Sequence, residues 1–132
     1  MTDKLTRNQM LVLSVLEKEQ APLSAYTILD RLHGEGFRAP LQVYRALQKL
    51  VSAKLVHKLE SVNAFMACSH PDQHNHGLTV FIICEKCSRV SEIENPLIAE
   101  NILQMTQKEG FLPRTTTIEI RGLCTRCNLK RV

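Results

Sequence analysis

Cys84-Glu85-Lys86-Cys87 and Cys124-Thr125-Arg126-Cys127 are two CxxC pairs in a chain with five cysteines. Two intervening residues let both thiolates of a pair point at one ion at about 2.3 Å, while backbone amides of the turn soften the negative charge. Two such pairs complete a tetrahedron, and a closed all-thiolate shell favours Zn²⁺ in a structural role. A redox role for one CxxC is the competing chemistry, but thioredoxin-type motifs do not come in complementary pairs.

The fifth cysteine, Cys68, opens the stretch CSHPDQHNHGLTVFIICEKC, residues 68–87, which also holds His70, His74 and His76. A lone cysteine is more often packing than ligand, and a lone histidine more often surface. Here the clustering shifts the balance. With His57 upstream and Glu92 downstream, a thiolate, imidazoles and a carboxylate are available to a second ion, a mix that suits Zn²⁺ better than Mn²⁺ or Mg²⁺. An ion held by His57, Cys68, Glu92 and a loop histidine would bridge the two halves of the chain. Spacing alone does not choose among the three loop histidines. No HExxH motif is present, nor an H-x-E paired with P-C-x-x-C, and a ligating Glu92 leaves no open coordination position, so an enzyme is not expected.

The bulk properties set the context for this chemistry. The chain has 132 residues, 44% hydrophobic and 23% charged, which is ordinary for a soluble globular protein. No window approaches the roughly 18 apolar residues of a membrane span, and the opening MTDKLTRNQM lacks the apolar run of a signal peptide. A cytoplasmic protein without a membrane partner is expected, and in a reducing compartment spaced cysteines are metal ligands or redox centres rather than disulfides. The net charge of +4 is uneven: residues 1–60 hold nine Lys/Arg against six Asp/Glu, and residues 61–132 hold eight against seven. A basic first half fits a nucleic-acid partner without demanding one.

The elements that must position these groups follow from capping and periodicity. Thr6 and Gln9 form a capping box opening a helix through Met10, Leu13 and Leu16. Ser24 caps a second helix bearing Ile28, Leu29 and Leu32, with Gly34 and Gly36 at its exit. Pro40 suits the first turn of a third helix, in which Val43, Ala46, Leu47, Leu50 and Val51 fall on one buried stripe. Gln42, Tyr44, Arg45, Gln48 and Lys49 lie on the opposite face. Leu55–Leu59 and Ala64–Cys68 read as strands joined across Ser61-Val62-Asn63. Three helices and a hairpin predict a winged helix-turn-helix, whose last helix enters the DNA major groove. Gln42 and Arg45 then lie near base edges, and Lys49, Lys54 and Lys58 nearer phosphates. The competing reading is a solvated helix face.

In the second half, residues 78–84, LTVFIIC, read as a buried strand and Ser88–Ile93 as its return. Asn95-Pro96 starts a helix with Ile98, Ile102 and Met105 on one face, closed by Gly110. Thr115–Arg121 alternates, with Ile118 and Ile120 on one side. So small a unit needs a metal, a second subunit, or both.

With these residues in view, the chain resembles the ferric uptake regulator superfamily, and most closely its zinc uptake regulator branch. LTRNQMLVL is similar to the family's opening helix, APLQVYRAL to its recognition helix, LVHKLES to its wing, and FIICEKC with GLCTRC to its structural zinc knuckles. The run from Ala67 through Cys87 is similar to the zinc branch in particular. The resemblance implies an α+β protein: a winged helix-turn-helix DNA-binding domain over residues 1–69, a hinge over 70–77, and a small α/β dimerisation domain with a structural zinc over 78–132. It implies a homodimeric, zinc-responsive repressor of palindromic operator DNA that binds no small organic ligand and carries two Zn²⁺ per subunit. Carried over by position, the structural zinc falls on Cys84, Cys87, Cys124 and Cys127, and the regulatory zinc on His57, Cys68, His76 and Glu92. Tyr26 and Arg45 match positions that face DNA. One extra residue between Cys68 and Cys84 leaves His74 as the alternative to His76. The HHDH run of iron-responsive members is replaced by HNHG, and Thr116 stands where they often place a histidine; both changes argue against an iron sensor. The alternatives are a sensor of iron, manganese, nickel or peroxide within the superfamily, and a zinc-storing protein without a DNA role.

Overall fold

Thr6 Oγ1 accepts the Gln9 N–H at 3.2 Å, and Gln9 Oε1 accepts the Thr6 N–H at 3.0 Å. This reciprocal cap satisfies two orphan donors and starts α1, Arg7–Lys18. Ser24 Oγ likewise accepts the Thr27 N–H at 3.1 Å and starts α2, Ala25–Arg31. A short 3-10 turn at His33–Glu35 leads to Gly36, whose φ of 94° is left-handed and favours glycine. α3, Pro40–Ser52, begins on the expected proline. β1, Val56–Leu59, and β2, Ala64–Ala67, then pair antiparallel, with Val56 opposite Ala67 and Leu59 opposite Ala64.

The computed structural model describes residues 4–19, 21–69, 78–114 and 116–129. The chain divides into two compact units, Met1–Asp72 and Gln73–Val132. The predicted hinge, residues 70–77, lies outside the described residues. Among those described, no helix is long and apolar enough to cross a membrane.

The core of the first unit gathers Val12 and Leu16 from α1, Ile28 from α2, and Val43, Ala46, Leu47 and Leu50 from α3, with Val56 and Phe65 from the hairpin. Phe37, between the 3-10 turn and α3, is also fully buried. Two apolar positions behave differently from expectation. Met10 is 53% exposed, because the buried stripe of α1 is centred on Val12 and a step of two residues turns about 200° around a helix. Val51 sits at the rim of α3's stripe and is exposed.

In the second unit β3, Leu78–Cys84, is the central strand of three. β4, Val90–Ile93, pairs with it antiparallel, placing Val80 opposite Ile93 and Phe81 opposite Glu92. β4 starts later than the expected Ser88, because Ser88 adopts a left-handed φ of 65° that closes the turn after Cys87. β5, Thr116–Gly122, lies on the other side of β3 and parallel to it. A parallel return needs a crossover, supplied by α4, Pro96–Lys108, whose N-cap Asn95 accepts the Leu97 and Ile98 N–H groups. The apolar face expected on α4 is left bare by the single chain: no residue of the helix is buried, and Met105 is 60% exposed. α5, Thr125–Leu129, closes the described chain.

Candidate metal centres and nucleic-acid interface

The sulfurs of Cys84, Cys87, Cys124 and Cys127 all lie within 4.8 Å of one another. Cys84 ends β3, and the turn after it is pinned by the Ser88 N–H on the Cys84 carbonyl at 3.0 Å. Because β5 runs parallel to β3 with Gly122 beside Cys84, the strand end delivers Cys124 to the same place. The Glu85 N–H donates to the Gly122 carbonyl at 2.8 Å, and the opening of α5 brings Cys127 round. Cys87 Sγ and Cys124 Sγ stand 3.8 Å apart. Sulfurs at the corners of a tetrahedron with Zn–S bonds of about 2.3 Å are separated by about 3.8 Å, so this donor set fits a zinc ion in number, type and spacing.

The backbone biases these thiols unequally. Amides of Cys87 and then Cys124 lower Cys84 from the ordinary 9.0 to about 6, against burial; the Cys124 N–H donates to Cys84 Sγ at 3.4 Å. The Cys127 amide, and then its side chain, lower Cys124. Cys127 is pushed up to about 12, first by the Cys124 side chain and then by burial. Packed thiolates repel, and a cation bound among them would relieve that repulsion.

A second pair of donors stands on the hairpin. His57, on β1, and Cys68, just past β2, are half-buried and offer ligand atoms within 4.8 Å of each other. The Cys68 N–H donates to the Leu55 carbonyl at 2.9 Å, which extends the ladder and holds the thiol in place. Glu92 is half-buried on β4 in the second unit. His70, His74 and His76 lie outside the described residues.

The outer face of α3 carries Tyr44, Arg45, Gln48 and Lys49, all exposed. With Lys58 and Phe65 from the hairpin they line an open groove of about 660 Å³. Lys58 Nζ sits 5.9 Å from the Phe65 ring centroid and 3.5 Å from Glu60. Phe65 had no expected role here, although strand alternation opposite Lys58 was the available signal. Tyr26, on α2, is 65% exposed. Gln42, expected near base edges, also caps α3: its Oε1 accepts the N–H groups of Arg38 at 2.7 Å and Ala39 at 3.1 Å. Ala39 has no polar side chain to cap α3, so Gln42 reaches back to do it.

The chain is 35% identical over 125 residues to the zinc uptake regulation protein of Escherichia coli (strain K12), covering 94% of this chain and 72% of that protein. A crystal structure of holo XcZur superposes with a TM-score of 0.88 at 37% identity, covering 98% of this chain and 89% of that one. A zinc uptake regulator complexed with zinc and DNA superposes with a TM-score of 0.89 at 33% identity, covering 96% and 85%. Residues 2–121 match the ferric uptake regulator family, and the chain belongs to that family of regulators.

Proposed function

We propose that this chain is a zinc-responsive transcriptional repressor that binds palindromic operator DNA as a homodimer when its regulatory site is filled. The observation that carries the reading is the coexistence, in one chain of this family, of a four-thiol cluster with zinc spacing, a separate His–Cys pair, and an outward-facing basic helix. A relative solved with both zinc and DNA supports it. The protein acts in the cytoplasm and takes neither a membrane nor a small organic ligand as partner.

Two Zn²⁺ ions per subunit are proposed. Cys84, Cys87, Cys124 and Cys127 hold the structural ion, whose closed thiolate shell serves stability rather than chemistry. His57, Cys68, His76 and Glu92 hold the regulatory one; the proximity of His57 and Cys68 supports half of that set, and His74 is the alternative to His76. Residues 1–69 act as the winged-helix DNA-binding domain, 70–77 as the hinge, and 78–132 as the dimerisation domain. The uncovered faces of the second unit support the dimer: Leu97 and Met105 on α4 and Ile120 on the edge strand β5 are exposed, and a second copy would bury them.

Tyr26, Gln42, Tyr44 and Arg45 make the DNA contacts that read or flank bases, and Lys49 and Lys58 approach phosphates. Filling the regulatory site sets the spacing of the two recognition helices of the dimer. When that ion is lost, the helices must be ordered by the DNA itself and affinity falls. The test is fluorescence anisotropy on operator selected from random-sequence DNA, with buffered zinc and then with chelator. The reading predicts tight binding that chelator abolishes and added zinc restores; equal binding under both conditions contradicts it.

A further inference from the structure

β1 and β2 pair so that His57 stands opposite Met66, and opposed residues of an antiparallel ladder project from the same face. Cys68 follows Met66 by two positions, and its N–H bond to Leu55 carries the ladder one step further, so its side chain returns to that face as well. Met66 is half-buried, as are His57 and Cys68. One face of the hairpin therefore presents an imidazole, a thioether and a thiol side by side. Leu59 and Ala64 continue the same face and are buried. Their packing accounts for an apolar residue at position 66 but does not call for a sulfur.

We propose that His57, Met66 and Cys68 form a soft three-donor site for a monovalent soft cation, Cu⁺ or Ag⁺. The proposal rests on the reading of His57 and Cys68 as metal ligands. Thiolate and thioether sulfur select Cu⁺ over harder ions, whereas carboxylate oxygen suits harder ones. A soft monovalent ion is satisfied by two or three such donors, so it occupies the hairpin without calling on Glu92. Zinc, a borderline ion, takes imidazole, thiolate and carboxylate and leaves the thioether aside. The same hairpin face then distinguishes the two classes of ion by which donors each recruits.

The experiment uses the full chain, loaded with one zinc equivalent per subunit so that the four-thiol site is filled and the hairpin donors stay open, and labelled with ¹³C in the methionine methyl groups, of which there are four. Ag⁺ is titrated in and methyl signals are followed by NMR; Met66→Leu, close in volume, assigns the Met66 signal. The Met66 methyl is expected to shift and saturate while those of Met1, Met10 and Met105 hold still. Met66→Leu should weaken Ag⁺ binding at this site by about tenfold or more and leave zinc affinity unchanged. In Cys68→Ser the Met66 shift should vanish, with the other three signals reporting that the fold is intact. A Met66 signal that stays put while silver is taken up overturns the proposal, as does a Met66→Leu protein that binds Ag⁺ as tightly as the wild type. If Ag⁺ moves Met66 but Cys68→Ser leaves zinc content unaltered, the zinc-switch reading fails and this site stands.

Discussion

Cys127→Ser is expected to unfold the second unit while the first stays folded. Among the described residues of that unit, the buried apolar side chains are Val80, Phe81, Ile83, Cys84 and Cys127, so two of the five belong to the thiol cluster. Cys87 and Cys124 are separated by 37 positions. Treated as a cross-link, a closed loop of that length removes about 4 kcal/mol of unfolded-state entropy. A domain this small has only about 3–5 kcal/mol of core stability to draw on, so losing the tie consumes most of it. Hydrogen exchange read by mass spectrometry resolves the two units in one sample. Peptides from β3 and β5 should exchange near the unprotected rate in Cys127→Ser and in chelated wild type, while those from α3 and β1 keep their protection. If β3 and β5 remain protected without the ion, the cluster is not what holds the sheet together and the reasoning fails.

Arg45→Ala should cost about 1–3 kcal/mol of binding to the preferred operator and relax discrimination at one base pair, whereas Lys49→Ala should weaken all sequences alike and reduce the salt slope by about one; anisotropy across a salt series separates them. Gln42→Ala should destabilise the first unit by about 1 kcal/mol through loss of its cap on α3, measured by urea denaturation, with Gln42→Glu retaining most of the stability. Elemental analysis of dialysed protein should find two zinc ions per subunit in the wild type and one in Cys68→Ser, with the dimer intact; two ions in both would remove Cys68 from the ligand set.

What could be read from the sequence was local. The Thr6–Gln9 box, Ser24, Pro40 and Asn95 each start a helix as their chemistry requires, because a cap is decided within four residues. The CxxC spacing carries its own geometry, and the structure brings all four sulfurs together. Less visible were features set by distant partners. The parallel pairing of β3 with β5 depends on a crossover, and no short window records it. The bare faces of α4 and the exposure of Met10 depend on which neighbours exist to cover them. Gln42's role was hidden because it answers a deficiency at Ala39, three residues away, rather than displaying a motif of its own. The choice among His70, His74 and His76 is likewise tertiary, since ligands from separate elements converge only in the fold.

The proposed repressor couples zinc binding to DNA binding through the site containing Cys68. Coupling between two ligands is reciprocal, so the most direct measurement is a zinc titration of the regulatory site with and without saturating operator, in wild type and in Cys68→Ser. Operator should tighten zinc binding in the wild type, by the same factor that zinc tightens operator binding, and Cys68→Ser should abolish this. Identical zinc affinity with and without operator would contradict it.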